Sequence, residues 1–290
     1  MFKKVFIHSE PQYEAGGLES VYQTIDAINQ QGGDAVAVFR KKVEGDPIPQ
    51  RYKKYNIKWT YDIEYSKDNL LIIPEVWTDQ VYVPGEIRKA IWWLSVDNNS
   101  GAFKDFDLDL IHFYQSSYAH DFLNKKGAKY SLPLHDYIYN LNDVDAPKKD
   151  IVCFNPVKGL EYTRKIVQKL PHVKFVPIQG MTHEQVYETL SSSKVYIDFG
   201  NHPGKDRIPR ESALRKNIII TNQKGSANHF SDVAIPYSYK RDVEDLDGTC
   251  DLIEKSLAEY DTRINHFSLY RQVIRNQKTE VFNQAKQYFL

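Results

Sequence analysis

KVYIDFGNHPGKDRIPRESALRKNIIITN, residues 194–222, runs from strand to polar loop to short helix to strand, and the rest of the chain is read outward from it. Val195, Ile197 and Phe199 alternate in the first strand, and Ile218, Ile219 and Ile220 form the apolar run of a strand buried on both faces. Between them Gly200, Asn201, His202, Pro203, Gly204, Lys205, Asp206 and Arg207 lead into a helix expected to open at Pro209, whose fixed φ suits a first helical turn. Free N–H groups at that helix start, with cations at Lys205 and Arg207, outline an anion site fit for phosphate. Glu211 breaks the pattern, because a phosphate repels a carboxylate. It reads either as an acceptor for neutral hydroxyls, such as those of a ribose, or as a helix charge that favours the dipole.

At 290 residues the chain is long enough for two domains, and two domains imply a cleft. The 38 basic and 38 acidic side chains cancel, so no global field favours nucleic acid. Cys153 and Cys250 are too few for a disulfide framework, which fits a reducing cytosol. No stretch approaches the roughly 18 apolar residues of a membrane span, so the expectation is a soluble, cytoplasmic chain.

The N-terminal residues build a βαβ unit: strand Val5 to His8, glycines Gly16 and Gly17, a helix with Leu18, Val21, Tyr22, Ile25 and Ile28 on one face, the stop Gly32-Gly33, and strand Ala35 to Phe39. The turn Glu14-Ala15-Gly16-Gly17-Leu18-Glu19-Ser20 lacks G-x-G-x-x-G spacing, so a nicotinamide cofactor is not expected. Paired glycines there either let a ligand approach the backbone or make a tight turn. Residues 40–59 mix cations with Tyr52, Tyr55 and Trp59, the composition of a solvated surface loop or of a peripheral contact with an anionic membrane. Strands Leu70 to Pro74, Ala90 to Val96 and Leu110 to Tyr114 follow, ending at Glu75, at Asp97-Asn98-Asn99 and at Gln115-Ser116-Ser117. In an open α/β sheet such ends line the ligand crevice, which makes Asp97 the acid/base candidate, with a turn or N-cap aspartate as the alternative. Asp105, Asp107 and Asp109 alternate without the glycine and glutamate of a calcium loop and read as a solvated lead-in. Residues 140–149 read as a linker, with the boundary near Asp145. Strand-helix alternation then restarts from Ile151, and from Val243 onward the pattern is helical.

Four pieces in order resemble the GT-B glycosyltransferases, within them the group acting on bacterial polysaccharide or lipid-linked acceptors: Gly16-Gly17-Leu18-Glu19, Phe154-Asn155-Pro156-Val157-Lys158-Gly159, Ile208-Pro209-Arg210-Glu211-Ser212-Ala213 and Gly225-Ser226-Ala227. The resemblance implies two Rossmann-like domains facing a cleft: residues 1–145 for the acceptor, 146–265 for a nucleotide-diphosphate sugar, and a C-terminal helix, 266–290, returning to the first domain. It also implies a donor set. Glu211 would take the ribose hydroxyls, Lys158 with Lys205 or Arg207 the diphosphate, Gly180 and Met181 the base, Gly17 the diphosphate from the other domain, and Asn155 belongs to the same set. Asp97 falls where many members put a histidine or acid near the reacting carbon, and would remove the proton from the attacking hydroxyl. Neither a metal nor a cofactor is expected beyond the sugar nucleotide as co-substrate. Retaining members commonly carry a second glutamate eight positions before the one matched by Glu211, and Pro203 stands there. That leaves the stereochemical class open, and Asp97 in place of the usual histidine leans slightly toward inversion. A noncatalytic relative that binds sugar nucleotide or a partner protein, and a sugar-nucleotide epimerase, are the other readings of the same residues.

Overall fold

Parallel strands need crossovers that return the chain to the same end, and helices supply most of them here. The computed structural model describes residues 2–141 and 146–290. Strands β1 (Lys4–Ser9), β2 (Ala35–Phe39), β3 (Lys58–Thr60), β4 (Asn69–Pro74), β5 (Arg88–Trp93), β6 (Ile111–Tyr114) and β7 (Tyr130–Pro133) come first, with helices α1 (Gly16–Gln30) and α2 (Ser117–Lys126) among them. Then come β8 (Lys149–Phe154), α3 (Leu160–Lys169), β9 (Lys174–Pro177), α4 (His183–Ser192), β10 (Ser193–Asp198), α5 (Arg207–Leu214), β11 (Ile218–Thr221), α6 (Leu246–Ala258), α7 (Tyr260–Arg263) and α8 (Ser268–Phe289). Contacts divide the chain into two compact units. One holds the residues up to Tyr137 with Pro203–Lys205 and Asn276–Leu290; the other holds Ile138–His202 and Asp206–Arg275. The boundary expected near Asp145 lies outside the described residues.

The first unit contains a seven-stranded, all-parallel sheet in the order β3-β2-β1-β4-β5-β6-β7. Its interior strands are apolar on both faces, and β4 is buried from Asn69 to Pro74. Helix α1 is buried from Leu18 to Ile28, polar residues included, so those residues need partners. Gln23 supplies the clearest case: its amide donates to the Tyr137 carbonyl at 2.8 Å and accepts the Tyr137 N–H at 2.9 Å. The C-terminal helix returns to this unit, where Val281, Ala285 and Phe289 enter the core four residues apart, on one helical face. The second unit has a four-stranded parallel sheet in the order β11-β10-β8-β9. Lys148 sits just ahead of β8, and its ammonium reaches three carbonyls, those of Leu190, Ser193 and Arg215, at 2.6–3.1 Å.

Several sequence expectations need correction. Strands β3 and β7 are additions, because KWT and YSLP lie half-exposed at sheet edges and carry no apolar run. The strand expected to reach Val96 stops at Trp93, and a 3₁₀ turn covers Val96–Asn98. Helix α5 opens at Arg207 with Asp206 at the N-cap position, two residues before Pro209. The basic-aromatic segment 40–59 is not simply a surface loop. Ile48, Tyr52 and Tyr55 are buried in the core, and Arg51 and Lys54 turn inward to the buried carboxylate of Glu19.

Because Phe289 is 1% exposed, Phe289→Ala should destabilise the first unit by about 3 kcal/mol, read as a lower urea midpoint. A variant with wild-type stability would show that the last turn of α8 does not hold the core.

Candidate functional site

Ligands of open parallel sheets bind beyond the carboxyl ends of the strands, where the strand order reverses. In the second unit the chain runs from β8 to β9 on one side, then crosses to β10 on the other, so the reversal lies between β8 and β10. The two loops leaving those strands are the ones singled out in the sequence, residues 155–159 and 199–206. They press together so closely that side chains are excluded: a Cβ on Gly159, whose φ is +65°, would stand 2.4 Å from the Phe199 carbonyl, and one on Gly200 would stand 2.1 Å from Lys158 Cβ. Asn155 shapes the first loop by accepting the Val157 N–H on its side chain at 3.0 Å.

The second loop is held by an ionic chain. His202 is completely buried; its Nδ1 lies 3.0 Å from Asp206 Oδ2 and its Nε2 lies 3.7 Å from Asp198 Oδ1. Asp198 also accepts the Tyr196 hydroxyl at 2.8 Å and the Gly200 N–H at 3.1 Å, while Asp206 accepts Lys158 Nζ at 2.9 Å. Burial disfavours the imidazolium, yet Asp206 and Asp198 outweigh it and raise the His202 pKa above its ordinary value. For Asp206 burial acts upward, and His202 and Lys158 bring the result below the ordinary carboxylate value. Two carboxylates and a histidine this close could in principle ligate a cation. The carboxylates face opposite ring nitrogens, however, whose lone pairs diverge, and one ion would take only one of them. Protons on the ring fit the arrangement better.

Arg207 opens α5, and its Nε lies 3.6 Å from Glu211 Oε1, one turn on. With the helix starting at Arg207, Glu211 is its fifth residue, beyond the first turn where a helix dipole favours a carboxylate. That removes the dipole reading of Glu211, which is 8% exposed. Gly180 has φ +64° and is exposed ahead of α4, whose Thr182 and Gln185 form a capping box; Met181 is partly buried. Gly17, Asp97 and Lys205 belong to the first unit. A Cβ on Gly17 would make only ordinary contact, 3.5 Å from Leu94 Cδ1, so packing alone does not require glycine there. Lys205 is buried, with its N–H donated to Gln115 Oε1 at 3.3 Å. Asp97 is exposed on its 3₁₀ turn and accepts the Tyr118 hydroxyl at 3.1 Å.

Sequence reasoning named His202 and Asp206 only as loop residues and passed over Asp198 as a site residue. Their four-residue spacing, Asp198, His202, Asp206, was the available signal. It also treated Glu75 as one strand-end residue among several. In the structure Glu75 is buried at the β1/β4 reversal of the first sheet, and burial, opposed by backbone N–H groups, pushes its carboxyl up to about 7.

Compared as a sequence, the chain matches no protein-family model and no curated protein. Compared as a structure, it is similar to sucrose-phosphate synthase from Thermosynechococcus elongatus, with a TM-score of 0.71 and 12% identity over 98% of each chain. It is similar also to HepE from Anabaena, solved with UDP-glucose, with a TM-score of 0.66 and 9% identity over 98% of each chain. TarM from S. aureus, solved with UDP, gives a TM-score of 0.61 and 15% identity over 78% of this chain, which spans 56% of the TarM chain. These are glycosyltransferases of GT-B type, and the chain has the GT-B fold.

A charged His202 contributes stability fully below its unfolded pKa, and that contribution is lost as pH rises through the raised folded value. His202→Gln should therefore show a larger deficit against wild type in urea unfolding at pH 5.5 than at pH 9. A deficit independent of pH would mean that the ring is neutral throughout.

Proposed function

We propose that this chain is a glycosyltransferase that moves a sugar from a nucleotide-diphosphate donor to a saccharide or lipid-linked acceptor in surface glycan synthesis. The observation that carries the donor half is the β8/β10 reversal. Two abutting loops there bring Lys158 within 2.9 Å of Asp206 at the N-cap position of α5, which Arg207 opens and in which buried Glu211 lies one turn on. Cations and a helix start suit a diphosphate; a carboxylate past the first helical turn suits neutral hydroxyls. Asn155, Gly180 and Met181 complete the donor site on the second unit. The structural neighbours solved with UDP or UDP-glucose support a uridine nucleotide as the first donor to test.

In the reaction Asp97 takes the proton of the acceptor hydroxyl, whose oxygen bonds to the anomeric carbon as the bond to the diphosphate oxygen breaks. The leaving diphosphate gains negative charge, which the cations and helix N–H groups stabilise without a metal. Asp97, standing where a histidine is usual, supports inversion. Exposed Arg40, Lys41, Lys42, Lys53, Lys58 and Trp59 are the part of the basic segment available for peripheral membrane contact at the cytoplasmic face. No helix is long and apolar enough to cross a membrane among the described residues.

Glu211→Ala should weaken UDP binding by roughly tenfold or more in calorimetry, since a hydrogen bond to a charged group contributes about 1.5–3 kcal/mol. Unchanged affinity with the fold intact would assign Glu211 to Arg207 alone. Asp97→Asn should bind donor normally and lower kcat by roughly a hundredfold to ten-thousandfold, with chelator leaving wild-type turnover unchanged. Nucleotide binding without turnover on any acceptor would favour a noncatalytic role, and sugar interconversion without acceptor an epimerase.

A further inference from the structure

We propose that Glu75 is a positioning residue, whose carboxylate and carbonyl grip the two ends of the turn that carries Asp97. The proposal rests on the transferase reading for the task of that turn, but the grip itself is geometric. Glu75 Oε2 accepts the Leu94 N–H at 3.1 Å and the carboxylate also takes the Ser95 N–H, at one end of the turn. The Glu75 carbonyl accepts the Ser100 N–H at 3.2 Å, at the other. Within this frame the Asn98 N–H reaches the Ser95 carbonyl at 2.8 Å, the Asn99 side chain reaches the Val96 carbonyl at 2.6 Å, and Asp97 stands exposed at the apex. One step along the helical turn that follows Glu75, Thr78 ties its hydroxyl to Ser100 Oγ at 2.6 Å.

The same turn holds a second strand of backbone. Ser95 bridges Gly204 in antiparallel fashion, and the Val96 N–H is donated to the Pro203 carbonyl at 3.1 Å. The approach leaves no room for a side chain, since a Cβ on Gly204 would stand 2.0 Å from the Leu94 carbonyl oxygen. A carboxylate that fixes the Leu94 and Ser95 N–H groups thus sets both the Asp97 apex and the Pro203–Lys205 backbone. Glu75 is 3% exposed, and burying an acid is unfavourable unless hydrogen bonds require it; its upward-shifted pKa shows that the fold tolerates this cost. An apolar side chain at this position would take that acceptor away from the Leu94 and Ser95 N–H groups.

The test uses the full chain with Glu75→Ala, Glu75→Gln and, should the alanine variant not fold, Glu75→Asp, which keeps the charge but shortens the reach. Amide hydrogen exchange at Leu94, Ser95 and Ser100 should quicken on the order of tenfold in the alanine or aspartate variant, while glutamine, which keeps an accepting oxygen, restores protection. On the same samples kcat should fall roughly tenfold to a hundredfold with donor KM unchanged, and recover with glutamine, because a misplaced base slows transfer without touching the donor. Unaltered exchange overturns the proposal, and so does faster exchange with normal kcat, since the turn would then be held to no catalytic end. If wild type transfers no sugar to any acceptor, the transferase reading fails, and exchange alone then decides the grip.

Discussion

A buried imidazole between two carboxylates is the interaction on which the 199–206 loop depends. Ions taken out of water cost several kcal/mol each, by order of magnitude, unless partners restore what solvent supplied. His202 has the Asp206 carboxylate 3.0 Å from Nδ1 and, as a longer ion pair, Asp198 3.7 Å from Nε2; Asp198 also takes Tyr196 and Gly200, and Asp206 takes Lys158. Removing one member would strand the next, so the loop conformation is set by electrostatics as much as by its glycines. The carbonyl of His202 is also used, accepting the Ser226 N–H at 2.8 Å, which pins the loop to the turn after β11. Gly225 permits that contact, having φ +57° and no room for a Cβ beside the His202 carbonyl oxygen.

This chain also bears on the charge a phosphate would meet. Lys158 and Arg207 each already face a carboxylate, Asp206 and Glu211. A diphosphate arriving at α5 would compete with Asp206 for Lys158 rather than neutralise an idle cation. Such competition lowers affinity for inorganic anions and favours ligands that add further contacts, which a ribose on Glu211 would supply.

What could be read from the sequence follows from how strongly burial constrains composition. Interior strands such as β10 and β11 are covered on both faces, so Val195, Ile197 and Ile218 to Ile220 announce them. Edge strands β3 and β7 are half-exposed and free to be polar, and nothing in KWT or YSLP marks them. Tyr52 and Tyr55 misled in the opposite way. Aromatics among lysines look like a surface, yet their rings are buried, and each hydroxyl finds a polar partner, the Ala15 backbone for Tyr52 and Glu19 for Tyr55. The candidate site was legible to the extent that polar residues cluster after strands: Asn155, Lys158, Arg207 and Glu211 do gather at one reversal. Their pairings were not legible, because a sequence shows which charges exist and not which of them face each other.

Glu19, Glu75 and Asp97 lie near strand ends or in the first turn of a helix in the first unit, and their environments differ. Glu19 is buried, and its two oxygens are taken by Arg51, Lys54 and the Tyr55 hydroxyl. Glu75 is buried with backbone N–H groups only, so nothing cationic offsets its desolvation and its pKa climbs toward neutrality. Asp97 is exposed and accepts the Tyr118 hydroxyl. A general base must reach its proton before its pKa matters, and of the three only Asp97 is exposed enough to touch a substrate. The buried pair serve it as structure: Glu19 fixes the segment packed on α1, and Glu75 fixes the turn from which Asp97 projects.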